Sequence, residues 1–237
     1  MQPTFNPWIG YFELIDSVDL FLFLDTVQLS QQSWQTRNKI KVANKEFMFS
    51  IPIQKTKTKQ ELMIHETLLD FRKYDFRKKL SKTLLQNYRK SAFFHEVNPF
   101  IQELISFETP YLSQYNINII QKITHKLHIQ TEIQTLSQTS FKSDSKKGAL
   151  VLDICLAFQA DTYLTPLGAK TYLQEFYKEF EKHAIAISYQ NYNHPIYQQR
   201  GDSFIPYLGI FDLLYNEGFE KSMKIIRKGR KYDGKEA

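Results

Sequence analysis

Asp25, Arg37 and the segment Gln2-Pro3-Thr4-Phe5-Asn6-Pro7-Trp8-Ile9-Gly10-Tyr11-Phe12 are the parts of this chain whose residue types and spacing could do chemistry. Two prolines fix the backbone of that segment, and Gly10 lets it approach a neighbour closely, as a ligand loop entering a helix would. The apolar run Val18 to Leu24 closes on Asp25, and a carboxylate at a strand end can draw a proton from an attacking amine or hydroxyl. Just beyond it, Gln28, Ser33, Trp34, Arg37, Asn38, Lys39 and Lys41 crowd hydrogen-bonding and cationic groups into one connection. The Arg37 fork suits a phosphate or carboxylate, and Trp34 or Tyr11 a stacked ring. His194, in a loop after a strand, can serve as a base.

The candidate catalytic residues are therefore Asp25, Tyr11 and His194. The candidate substrate-binding residues are Gln2, Trp8, Gly10, Gln28, Trp34, Arg37, Asn38 and Lys39, faced by Tyr163, Gly168, Tyr172 and Tyr197. Plainer readings stand beside these: Trp8 and Phe12 as anchors for the N-terminal segment, Arg37 as the structural partner of Asp25, and Gly168 as an ordinary turn. No metal site is expected. His125 and His128 have a usable spacing but lack a third ligand nearby. Cys155, the sole cysteine, sits on an apolar stripe and reads as a small core side chain. Asp212, between Phe211 and Leu213, must be paired or functional.

The elements that must position these groups follow from periodicity. Trp8 to Ser17 has helical spacing, and Val18 to Leu24 reads as a strand buried on both faces. Lys39–Val42 and Phe47–Ile53 flank Ala43-Asn44-Lys45 as a hairpin, followed by a polar loop over 54–66. Residues 74–127 carry three amphipathic helices, with Pro99 and Pro110 placed near helix starts. Then come a strand near 129–133, a polar loop to Lys147, a helix over 148–159, a strand at 162–164, a helix over 170–182 and a strand at 184–189. Two helices, 204–215 and 219–227, close the pattern. Such alternation predicts an α/β fold: a mostly parallel, Rossmann-like sheet with flanking helices and a helical lobe. The α/β core would be 1–73 with 128–237, the lobe 74–127, and 228–237 a flexible basic tail.

Charge is unevenly spread. Residues 37–90 hold 15 Lys and Arg against 5 Asp and Glu, a surplus of ten in a chain whose total is +6. This favours an anionic small-molecule partner, a nucleotide sugar, acyl-CoA or lipid-linked sugar, or peripheral contact with an anionic surface. The aromatic rings sit at core spacing without a nucleic-acid motif, so no nucleic-acid partner is expected. No run of eighteen apolar residues and no basic-then-apolar leader is present, which makes the cytoplasm the expected location. Cofactor and oligomeric state stay unspecified.

Taken as a set, Gln2-Pro3 through Gly10-Tyr11-Phe12, the strand ending at Asp25 and Ser33-Trp34-Gln35-Thr36-Arg37-Asn38-Lys39-Ile40-Lys41 resemble the WbqC-like family. The likeness continues through Asp161-Thr162-Tyr163-Leu164, Gly168 to Leu173, Tyr192 to Gln198 and Phe204 to Gly218, covering residue 2 to about 227. The resemblance implies a role in bacterial surface-polysaccharide biosynthesis, O-antigen especially, by transfer of an acyl or aminoacyl group onto an amino sugar. The alternative is a non-catalytic protein that binds a nucleotide sugar. Family members carry a short apolar strand ahead of the Gln-Pro pair; Met1 abuts Gln2 here, so that strand is expected to be missing. A fainter likeness, Pro7-Trp8-Ile9-Gly10-Tyr11, echoes the proline and His-x-Gly-His opening of nucleotidylyltransferases. Trp8 and Tyr11 stand where the histidines would be, so adenylyl transfer is disfavoured.

Overall fold

The computed structural model describes residues 1–30, 33–54 and 62–232. Helix α1 (Ile9–Ile15) buries all of its residues, and β1 (Leu20–Phe23) alternates half-buried and buried positions rather than hiding both faces. Strands β2 (Arg37–Val42) and β3 (Lys45–Ser50) form the hairpin, in register Val42 to Lys45. Its two turn residues, Ala43 and Asn44, have φ of 47° and 61°, the pair of left-handed conformations that matches strand twist. Of the expected 54–66 loop, 55–61 lies outside the described residues, and Ile64–Glu66 is a single 3-10 turn.

The helical stretch contains α2 (Phe76–Tyr88), α3 (Phe94–Ser106) and α4 (Leu112–Lys126). Asp75 caps α2 by accepting from the Arg77 N–H. Pro110 precedes α4, as its missing amide proton allows, whereas Pro99 falls inside α3 rather than at its start. At the end of α4, His128 (φ 57°) takes the left-handed position, and its N–H and that of Ile129 reach back to His125 and Thr124. This cap uses residues expected to open a strand, so β4 begins later, at Glu132, and ends at Thr135.

Next come α5 (Lys147–Ala157), β5 (Thr162–Pro166), the short α6 (Lys170–Leu173), α7 (Tyr177–Lys182) and β6 (Ala186–Tyr192). The single helix expected over 170–182 is broken by a 3-10 turn at Gln174–Phe176, where the Phe176 ring lies against the Cα of Gly148. Helix α8 (Ile210–Lys228) starts later than expected because Pro206 and the left-handed Tyr207 (φ 58°) interrupt the chain. Gly218, at φ 70°, divides α8 in two. Residues Arg230–Tyr232, expected to fray, form β7, and Arg230 grips Glu13 and Asp16 at 2.8 and 2.6 Å.

Strand pairing gives a mixed α/β protein with short parallel sheets rather than one continuous sheet. β1 runs parallel to β4, β5 parallel to β6 with β7 antiparallel beyond it, and the hairpin stands apart. One large core joins the N-terminal segment, β1, the hairpin, α2 to α4 and α8; a smaller one lies between α5, β5, α6, α7 and β6. The helices of 74–127 therefore share a core with the first strands. Between β1 and β5 runs a cavity of about 550 Å³, flanked by α1 residues such as Leu14 and α5 residues such as Cys155.

Candidate functional site

The segment Gln2–Trp8 is irregular backbone, so its carbonyl groups need partners that no ladder supplies. Side-chain amides supply them. Asn38 on β2 donates through Nδ2 to the carbonyls of Phe5 and Asn6, both at 2.9 Å. Asn116 on α4 donates to those of Pro3 at 3.1 Å and Gln35 at 2.8 Å. Gln35 Nε2 donates to Gln2 Oε1 at 2.5 Å, Phe5 N to the Trp34 carbonyl at 2.9 Å, and Tyr11 OH to the Gln2 carbonyl at 2.9 Å. Asn6, left-handed at φ 43°, accepts through Oδ1 from Phe211 N and so holds the start of α8. A Cβ on Gly209 would stand 2.1 Å from Asn6 Nδ2, which is why the close approach there needs glycine.

This junction is sealed, yet it leaves neutral polar atoms unmatched. Among the described residues, Thr4 Oγ1, Asn6 Nδ2, Ser33 Oγ, Gln35 Oε1 and Asn116 Oδ1 are buried without a hydrogen-bond partner. All belong to the three segments that meet at Pro3 and Gln35. Together they offer two hydroxyls, two amide oxygens and an amide nitrogen.

The strand-end carboxylate has a partner 112 residues away. Asp25, 1% exposed, accepts from Ser137 N at 3.0 Å and from the Ser137 hydroxyl at 2.6 Å. It thereby ties the end of β1 to the turn after β4, while its own carbonyl accepts from His65 N at 3.0 Å. Arg37 is half-buried at the start of β2, opposite Ser50. Lys39 meets Glu46 at 2.8 Å, Gln28 bridges to Met63, and Trp34 is 47% exposed on the rim of the junction.

Trp8, Tyr192, His194 and Tyr207 make an aromatic group beside the junction. The Trp8 ring lies 5.3 Å from Tyr192, 6.1 Å from His194 and 5.5 Å from Tyr207, and it covers Gly10, so the close approach that Gly10 permits is to Trp8. His194 uses both ring nitrogens: Nδ1 donates to the Pro195 carbonyl at 2.9 Å, and Nε2 accepts from Tyr207 N at 3.2 Å. That fixes the neutral tautomer, and burial lowers its pKa further. Tyr197 is buried and donates to Asp212 Oδ2 at 2.9 Å; Tyr88 donates to Oδ1 at 2.8 Å. Burial pushes Asp212 up to about 6 despite both phenols. Lys41 closes this hub, its N–H donating to Tyr88 OH at 3.0 Å and its ammonium meeting Ser203 and Gln199.

Tyr163, Gly168 and Tyr172 lie on β5, the turn after it and α6, packed with the smaller core. Tyr163 OH donates to Thr165 at 3.2 Å and burial pushes this phenol up, Tyr172 is 40% exposed, and space around Gly168 is open. The structure thus gathers Gln2, Tyr11, Trp34 and Asn38 at the junction, sets Trp8, His194 and Tyr197 beside it, ties Asp25 to Ser137, and leaves the β5 group on its own unit.

Sequence reasoning missed Thr4, Gln35, Asn116 and Ser137. Asn116 had a legible signal: it lies four residues after Leu112 on the apolar stripe of α4, where an amide must find partners. Ser137 had none. Among the described residues no three His, Cys, Asp or Glu gather as a metal would need, and no helix is long and apolar enough to cross a membrane.

Comparison with known proteins agrees with the resemblance drawn from the motifs. An uncharacterised protein of Mycobacterium tuberculosis is 28% identical over 222 residues, covering 93% of each chain. No solved structure matches. The WbqC-like protein family model matches residues 2–224, and the chain belongs to that family.

Proposed function

We propose that this protein recognises an amino sugar carried on a nucleotide or a lipid and places an acyl or aminoacyl group on it during bacterial surface-polysaccharide assembly in the cytoplasm. The observation that carries the reading is the set of unmatched neutral atoms on Thr4, Ser33, Gln35 and Asn116. Each such atom costs about 1–3 kcal/mol when left without a partner. A ligand rich in hydroxyl and amide groups that entered past the exposed Trp34 rim and opened the junction would recover that cost. Trp34, exposed at the rim, offers a face for a sugar ring or base, and the exposed cations of α2, Lys78, Lys79 and Lys82, suit a phosphate-bearing carrier or an anionic surface.

For the transfer itself, Asp25 stands where ligands gather in α/β proteins, beyond the carboxyl ends of parallel strands, in keeping with a Rossmann-like ancestry for the fold. The amine of the sugar would attack the acyl carbonyl, the bond to the leaving group would break, and the amine proton would pass to Asp25 once the Ser137 hydroxyl turns away. The second reading, binding without catalysis, is favoured by a specific observation: Asp25, Tyr11 and His194 are all engaged by protein groups.

Thermal-shift titration with UDP- and dTDP-linked amino sugars, acyl-CoA and aminoacyl donors tests the site. A nucleotide amino sugar should raise the melting temperature, and Ser33→Ala should weaken that response while leaving the unliganded protein as stable or more so, by up to about 1 kcal/mol. Equal ligand response in Ser33→Ala and Thr4→Val would discard the junction as the sugar site. Mass spectrometry of the sugar after incubation with donor then separates transfer from binding alone.

A further inference from the structure

The outer side of α2 carries charge of one sign. Residues 76–90 include Arg77, Lys78, Lys79, Lys82, Arg89 and Lys90 and no Asp or Glu. At 3.6 residues per turn, Lys78, Lys79, Lys82, Leu85, Arg89 and Lys90 fall within an arc of about 140°, and all six are exposed. The opposite arc is buried, with Phe76, Leu80, Leu84 and Tyr88 packed in the large core. The helix is therefore held flat against the protein, and its basic face cannot turn inward. The acids just ahead of it are already paired: Asp70 holds Arg72 at 2.7 Å, and Asp75 holds Arg77 at 3.0 Å.

The face is not purely ionic. Leu85, 46% exposed, sits one turn from both Lys82 and Arg89, and Tyr74, 44% exposed, holds its ring 5.5 Å from the Lys79 ammonium. Apolar and aromatic side chains among lysines suit a helix lying in the plane of a bilayer interface. There the apolar groups enter the headgroup layer and the cations meet lipid phosphates. A nucleic-acid backbone would match the cations alone, since Leu85 has no ring to stack on a base.

We infer that the exposed face of α2, with Tyr74 at its start, is a docking surface for an anionic lipid bilayer. Charge complementarity supplies the pull: each Lys or Arg near a negatively charged membrane strengthens binding about fivefold, so five weak attractions act together. Leu85 and Tyr74 then set the depth and orientation of the helix. The contact is peripheral and reversible, and it weakens as salt screens the charges. This inference takes up the anionic-surface side of the proposed function and does not depend on which group is transferred.

The test uses the full chain and vesicles of phosphatidylcholine, alone or mixed with phosphatidylglycerol. No sugar or acyl donor is present, so the outcome is separate from whether the junction holds a sugar. Co-sedimentation should show binding to the anionic vesicles about tenfold or more tighter than to the neutral ones, falling as sodium chloride is raised. Lys78→Gln with Lys82→Gln should weaken that binding about 25-fold and Leu85→Ser about threefold, while both proteins keep the wild-type circular dichroism. Equal binding to neutral and anionic vesicles, or a double variant that sediments like wild type, would overturn the docking surface. Tighter capture of an oligonucleotide than of anionic vesicles at the same salt, unchanged by Leu85→Ser, would overturn it in favour of a nucleic-acid partner.

Discussion

Gln2 and Met1 are neighbours in the chain and opposites in their surroundings. From Gln2 onward the backbone is irregular, yet its carbonyls are satisfied by Asn38 and Asn116, and the large core encloses it. Met1 is tied to the edge of β1 by hydrogen bonds with Leu22 and Leu24, and it lines the cavity between β1 and β5. Regular structure depends on a neighbour at the right spacing and is left bare without one. Irregular structure can be locked by a few side-chain amides, each holding two carbonyls at once. The junction is therefore tied by amides from β2 and α4, whereas the cavity beside it is lined by half-buried strand residues.

The sharpest way to break this comparison is Asn116→Leu, which leaves the Pro3 and Gln35 carbonyls buried without donors. Roughly 4 kcal/mol should be lost, from two groups at about 1–3 kcal/mol each plus misfit, read by urea denaturation. A loss under about 1 kcal/mol would mean that the lock lies elsewhere.

The Asp212 hub extends the test to pH. Its folded pKa, about 6, lies above the usual 3.8, so the protonated form favours the folded state. Stability owed to that proton is complete below about 4 and is lost as pH rises to about 6, on the order of 3 kcal/mol in all. Wild type should lose stability relative to Asp212→Asn across that window and run parallel to it above. Asp16 has the opposite sign: burial would raise its pKa, but hydrogen bonds from Arg227 and Arg230 outweigh this and hold it low, so its contribution fades only in acid.

Gly209→Ala should cost about 2 kcal/mol, since the new Cβ meets both the Asn6 side chain and its backbone oxygen, 2.5 Å away. On the cavity side, Leu22→Ala should cost under about 1 kcal/mol because that side chain is only half-buried. Calorimetric melting of these two variants in parallel gives the contrast directly; equal losses would erase it.

Much of the fold was legible because it is written locally. Ala43-Asn44 sets the hairpin, the leucine and isoleucine spacing sets α2 to α4, and Gly218 marks the division of α8. The reading went astray where a contact from elsewhere re-aimed the chain: Phe176 against Gly148 broke a helix, and a left-handed His128 delayed β4. Site residues followed the same rule. Gln2, Trp34 and Asn38 stood out as candidates because their types are unusual in their own segments, and the structure brings them to one junction. The unmatched atoms of Gln35 and Asn116 emerged only once α4 lay across the N-terminal loop.

By itself the sequence determined the elements, the family and the crowding of polar groups into the first forty residues, because periodicity and residue type act within a few positions. Only the tertiary structure decided that Asp25 serves Ser137, that Asn38 and Asn116 clamp the loop, and that β1 and β5 face each other across a cavity. Those pairings join residues from 32 to well over 100 positions apart, and a hydrogen bond formed across such a distance leaves no period in the chain to be read.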